Sequence, residues 1–136
     1  MELNYSLHEL NDAAKRLLEA HPLVRVFALH GSMGAGKTTL VHALATQLQV
    51  VDTVSSPTFA IINTYITAQG AAVHHLDLYR LRSEEEAIQA GVEDCLHSGD
   101  YCFAEWPEIA PDLFPDTTLH VYIESTGTDT RRLITQ

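Results

Sequence analysis

The sequence predicts an α/β fold: a mixed sheet flanked by helices, in a single domain over residues 1–136. Three observations carry this. Apolar runs of strand length alternate with segments of helical periodicity. A glycine-dense loop, "GSMGAGKTT" at 31–39, joins one such run directly to one such segment. Several later connections are too short for a parallel crossover, which takes about a dozen residues, so antiparallel neighbours are required as well. A chain of 136 residues can bury roughly 65–70% of its unfolded surface around one core.

The elements follow in order. Ser6 with Glu9 makes a capping-box pattern, and Leu7, Leu10, Ala14, Leu17 and Leu18 repeat at helical spacing, predicting a helix over about 7–20. His21-Pro22 closes it. "LVRVFALH" then reads as one buried strand that runs into the glycine loop, and "TTLVHALATQLQV" reads as a helix with Leu40, Leu44 and Leu48 on one face. "TFAIINTYIT" and "AAVHHLDLY", separated by Ala68-Gln69-Gly70, suggest a hairpin. A second capping box, Ser83 with Glu86, opens a short helix that Gly91 ends. "YCFAEW" and "TLHVYIEST" read as strands divided by the proline-punctuated "PEIAPDLFPD", and "RRLITQ" reads as a last strand.

Composition removes several classes of function. Eight basic residues against eighteen acidic ones give a formal charge of −10, which repels a phosphate backbone, so no direct, unaided grip on nucleic acid is expected. No apolar stretch approaches the roughly 20 residues of a membrane span, and "MELNYSLHEL" has no secretory character, so a cytoplasmic location without membrane contact is expected. Cys95 and Cys102 lack CxxC spacing and read as plain thiols.

The chemistry starts at the loop. Gly31, Gly36, Lys37 and Thr38 match G-x-x-x-x-G-K-[ST] between a strand and a helix, the context the P-loop (Walker A) motif needs. Glycines let successive backbone N–H groups turn inward as an anion nest, and the helix that follows adds its positive end. Gly31, Ser32, Met33, Gly34, Ala35, Gly36, Lys37, Thr38 and Thr39 are therefore the candidate nucleotide-binding residues. Lys37, taken as an exposed loop lysine, reaches the β- and γ-phosphates, and Thr38 offers its hydroxyl to Mg²⁺. No Asn/Thr-Lys-x-Asp guanine motif occurs, which favours ATP.

Phosphoryl chemistry needs carboxylates beside the metal, and two apolar strands end in acids: Asp77 after "VHHL" and Glu105 after "YCFA". At the carboxyl end of a core strand such an acid points into the ligand crevice. His74 and His75 flank Asp77, but consecutive strand residues face opposite sides, so both read as structural. Arg80 reads either as a surface or acid-paired arginine, the commoner case, or as a cation that approaches developing phosphate charge. Trp106 belongs either to the core or near the nucleotide.

Four stretches now stand in order: "GSMGAGKTT", "SSPTF" at 55–59, "HLDLYR" at 75–80 and "EWPE" at 105–108. Together they resemble the TsaE (YjeE) family, small bacterial P-loop ATPases involved in making threonylcarbamoyladenosine (t6A37) beside the tRNA anticodon. The resemblance runs from about residue 6 to residue 124. It implies a P-loop NTPase-like fold in which Gly34 through Thr38 bind ATP phosphates, and Thr38 and Glu105 hold Mg²⁺. Asp77 is then a second acid at the active site, and Ser56, Pro57 and Thr58 form a loop near the nucleotide that responds to the γ-phosphate. Catalytic roles fall on Lys37, Asp77 and Glu105.

The resemblance also implies two partners of sugar-kinase-like fold (TsaB and TsaD type), one of which carries the transferase site. The chain itself is then a Mg-dependent ATPase, weak alone, that resets the complex and is not the carbamoyl transferase. Ser32 departs from the family, which usually has an acid there, and Leu10 stands where the family often has a Thr or Ser near the adenine. Two other readings compete: a small-molecule or nucleotide kinase, and an ATP-dependent binding module with incidental hydrolysis.

Overall fold

The computed structural model describes residues 1–53 and 60–136. Ser56, Pro57 and Thr58 lie outside the described residues. Eight strands form one sheet: β1 Glu2–Ser6, β2 Val26–His30, β3 Val50–Thr53, β4 Ile62–Thr67, β5 Ala72–Asp77, β6 Tyr101–Glu105, β7 Leu119–Ser125 and β8 Thr130–Thr135. The helices are α1 Leu10–Ala20, α2 Lys37–Gln47, α3 Glu84–Gln89 and α4 Val92–Leu96. The strand order is β1-β8-β7-β2-β6-β5-β4-β3. The centre, β7-β2-β6-β5, is parallel, and antiparallel pairs extend it on both sides. The expected mixed α/β sheet is observed.

The parallel centre is apolar on both faces. Phe27, Leu29 and Phe103 pack with Leu17 of α1 and with Leu40, Val41 and Leu44 of α2. On the other face Val26, Cys102 and Ala104 pack with Ala87 of α3 and with Val92 and Leu96 of α4. Adjacent residues of a strand therefore enter different cores, as the two-residue repeat demands. Because β2, β5 and β6 run in one direction, their carboxyl ends come together at one edge, and the chain leaves β2 there into the glycine loop.

Several local expectations are corrected. The first helix begins as a 3₁₀ turn, Leu7–Glu9, and becomes α-helical only at Leu10, while Leu7 stays exposed. The Glu9 carboxylate accepts from both the Ser6 amide and hydroxyl, so the cap predicted there is real. The strand before the loop starts at Val26 instead of Leu23, which is exposed. The helix after the loop stops at Gln47 because Gln49 turns left-handed at φ 63°, a termination usually given to glycine, and β3 then begins at Val50. Strand β1 and helix α4 were not predicted.

Ser83 caps α3 by accepting from the Glu86 amide, and Gly91 separates α3 from α4 at φ 92°. Cys95 and Cys102 are free thiols, and burial pushes the Cys102 thiol up to about 12. No helix among the described residues is long and apolar enough to cross a membrane.

Candidate functional site

The loop after β2 is shaped by contacts that leave no room for side chains. A Cβ at Gly31 would sit 2.7 Å from the Ile123 carbonyl oxygen, so only glycine lets β2 turn away beside β7. Gly36, at φ 103°, precedes the first residue of α2 and leaves that helix without a side-chain cap. The amides of the first turn are thus free to receive an anion, and the helix dipole favours one there.

Lys37 is buried, which corrects the expectation of an exposed lysine. Its Nζ donates to the Gly31 carbonyl at 2.6 Å and lies 3.4 Å from the centroid of the Trp106 ring. Trp106 therefore lies beside the loop while also packing against the core on the other face of the sheet and against Tyr79, at 5.0 Å between ring centroids. It takes that place by adopting φ 59° directly after β6, a left-handed conformation that is rare for a bulky aromatic. Burial lowers the pKa of Lys37, while the charges of Glu105, Glu108 and Asp77 oppose that shift.

Parallel pairing sets Asp77 opposite Glu105 at the ends of β5 and β6. Glu105 is buried, and both its oxygens accept from the Thr38 hydroxyl, at 2.9 and 2.8 Å. Asp77 is exposed and caps its own turn by accepting from the Tyr79 amide. Hard oxygen donors from Thr38 and Glu105, in contact at the uncapped start of α2, suit Mg²⁺, which takes few protein ligands and keeps its water. The residues present thus fit the implied metal.

One group at this centre was missed by sequence reasoning. His75 Nε2 is 2.6 Å from Glu105 Oε2, with both side chains buried. Burial alone would push the Glu105 carboxyl up. The hydrogen bond and charge of His75, the Thr38 hydroxyl and the Lys37 charge outweigh burial and hold it below the ordinary glutamate range. His74, as expected, faces the other way, to Asp100 and Thr64. The signal for His75 was its offset: two residues before Asp77 on the same strand, hence on the same face and deeper in the sheet.

A cavity of about 480 Å³ opens over this arrangement, lined among others by Asp77, Glu105, Trp106, Gly36, Thr39 and Arg131. Met33, Gly34 and Thr38 line it too, and Arg80 contributes to its wall. Ala35 is buried, so the loop presents its backbone there. Ser32 lies exposed, and its carbonyl accepts from the Ala35 amide.

A parallel strand, a glycine loop carrying Lys-Thr at the head of a helix, and a carboxylate on the neighbouring strand define a P-loop protein of the α/β class. Within that class the chain belongs to the family of the threonylcarbamoyl adenosine biosynthesis protein TsaE, which residues 5–134 match.

Relatives named tRNA threonylcarbamoyladenosine biosynthesis protein TsaE agree with this. The Bacillus subtilis protein is 33% identical over 108 residues, covering 79% of this chain and 66% of that protein. The Haemophilus influenzae protein is 33% identical over 112 residues, 82% of this chain and 70% of that one. The chain thus spans about two thirds of the length of these relatives. The crystal structure of Bacillus subtilis YdiB superposes with a TM-score of 0.70 at 27% identity, covering 98% of this chain and 83% of that one.

Proposed function

We propose that this protein is a Mg²⁺-dependent ATPase that supports threonylcarbamoyladenosine formation on tRNA by a partner transferase complex of the TsaB and TsaD type. What supports the ATPase reading most is the Thr38–Glu105–His75 chain of contacts beside the buried Lys37, at the mouth of a glycine-loop cavity. Family membership supports the pathway. The charge of −10 fits a role in which partners, and not this chain, grip the tRNA.

In the free protein the Lys37 ammonium is parked on the Gly31 carbonyl and the Trp106 face. A phosphate oxygen entering the nest supplies a stronger acceptor, so Lys37 then neutralises charge that builds up during transfer. A bound Mg²⁺ would supply positive charge against the phosphates. Thr38 and Glu105 would hold it, each giving up the hydrogen bond it makes to the other. His75 keeps Glu105 ionised and aimed. Asp77, exposed in the cavity beside Glu105, orients water or completes the metal shell.

The test is phosphate release by the purified protein with its partners, compared with Lys37→Ala. The variant is expected to lose turnover by at least about a hundredfold. It should keep its fold, because the ammonium's hydrogen bond goes to a single loop carbonyl and Glu105 keeps its bonds to Thr38 and His75. Unchanged turnover would overturn the assignment. Transfer of the γ-phosphate to a small acceptor would instead identify a kinase. Repeated tRNA modification with a non-hydrolysable ATP analogue would identify a binding module, since binding alone biases an equilibrium without driving cycles.

A further inference from the structure

The two halves of the sheet are covered differently. Helices α1 and α2 lie on one face, where Leu3, Val121, Ile123 and Leu133 of β1, β7 and β8 join their core. The core under α3 and α4 on the other face draws on β2, β5 and β6, and no described residue of β1, β7 or β8 belongs to it. That face of β1, β8 and β7 is open. The register puts Glu2, Tyr122, Glu124, Arg132 and Ile134 on it, and none of the five is buried.

The open face has a fixed aromatic centre. Tyr122, 39% exposed, stacks on His30 with 4.4 Å between ring centroids and 11° between the planes. His30 Nε2 is in turn 2.8 Å from His120 Nδ1, a contact that fixes the ring. Two cavities share His30 as a wall. One, of about 360 Å³, is lined by Tyr122, Glu124, Arg132 and Ile134 and reaches Gly31 of the glycine loop. The other, of about 450 Å³, is lined by Pro107, Phe114 and Pro115 together with Glu108 and Asp116.

Charge says what such a surface accepts. Around the two cavities stand the carboxylates of Glu2, Glu108, Asp116 and Glu124 against the cation of Arg132, which is already paired with Glu2 and Glu124. Burial and His120 hold the pKa of His30 down against the pull of Glu108, so that ring adds no compensating charge near neutral pH. A second copy would set the same acids against one another across a two-fold axis. Nucleic acid and anionic lipid are repelled. A cation with a flat face fits: a guanidinium stacks on a tyrosine ring and bonds a neighbouring carboxylate through two N–H groups, which an ammonium cannot do.

We propose that the open face of β7 and β8 is a docking surface for an arginine-bearing segment of another protein, seated on the Tyr122–His30 stack between Glu124 and the Glu108–Asp116 pair. This surface lies on the face of the sheet opposite α2, and the inference goes beyond the ATPase reading.

The experiment measures dissociation constants of tri-arginine and tri-lysine peptides at physiological salt. The proteins are wild type, Tyr122→Ala, Tyr122→Leu, the double variant Glu108→Gln with Asp116→Asn, and the double variant Glu84→Gln with Glu85→Gln, which removes the same charge from α3. Wild type is expected to prefer tri-arginine by about threefold or more. Both Tyr122 variants should lose that preference, and Tyr122→Leu keeps the bulk of the side chain, so a packing defect cannot imitate the result. Loss of Glu108 and Asp116 should weaken tri-arginine by about threefold, and loss of the α3 pair by less than twofold. Equal affinity of wild type for the two peptides overturns the inference, as does a preference retained without Tyr122. Equal weakening by the two double variants also overturns it, because net charge alone would then attract the peptide.

Discussion

The two faces of the sheet treat identical neighbours differently. His74 and His75 are adjacent on β5, and each contacts a carboxylate. His74 meets Asp100 at 3.0 Å where the acid is 39% exposed; His75 meets Glu105 at 2.6 Å where the acid is 4% exposed. Arg131 and Arg132 repeat the pattern on β8. Arg132 makes exposed ion pairs with Glu2 and Glu124, while Arg131 turns to the glycine loop. In both doublets one member lies on the face that carries α2 and the glycine loop. The other ties strands together on the opposite face. Alternation, not residue type, assigns chemistry here.

The largest effect that could break this comparison lies in the acids. Glu105→Gln should weaken binding of Mg²⁺ with ADP on the order of a hundredfold, because it removes the charge from a buried group held by three partners. Asp100→Asn, the counterpart on the other face, should leave that affinity unchanged and cost at most about 1 kcal/mol of stability. Asp77→Asn should fall between them, since Asp77 lines the cavity but is exposed. Titration of each variant with Mg·ADP gives the ranking. Asp77 ranking above Glu105 would exchange their roles.

A smaller effect is expected from the histidines. His75→Ala leaves the Glu105 carboxylate buried with one partner fewer, so stability should drop by about 1–3 kcal/mol. Affinity for Mg·ADP should fall by about tenfold, the usual size for a group that orients a metal ligand. His74→Ala should cost about 1 kcal/mol and leave affinity as it was. Chemical denaturation and the same titration measure both. Equal loss of affinity in the two variants would erase the distinction between the faces.

The sequence disclosed this site unevenly, for physical reasons. The loop was legible because phosphate binding constrains residue type at fixed spacing. Asp77 and Glu105 were legible because each ends an apolar run. His75 was set aside together with His74, since a doublet in one dimension hides which residue faces which core. Arg131 had no local signal: its place beside the glycine loop comes from β8 lying two strands from β2, fixed only by the completed sheet.

Edge elements were lost for a similar reason. β1 has just two buried residues, Leu3 and Tyr5, and its partner β8 is more than a hundred residues away in the chain. β3 follows α2 without a glycine or proline between them, because Gln49 makes the left-handed turn.

The smallest predicted effect is a pH dependence of the nucleotide-free protein. The Glu105 carboxyl is held below the ordinary glutamate range, its partners outweighing burial. A carboxylate with a depressed folded pKa contributes stability that is fully present above its unfolded pKa, roughly 4.3, and is lost as pH falls through the lower folded value. Wild type should therefore lose stability between those two values faster than Glu105→Gln, which has no proton to take up at that position. Glu9 is also held low, by Ser6, but it is present in both proteins and cancels in the difference. Unfolding free energies measured by urea from neutral pH down through the glutamate range give two curves. They should run parallel near neutrality and converge in acid. Curves that stay parallel throughout would mean that His75, Thr38 and Lys37 do not together outweigh the burial of Glu105.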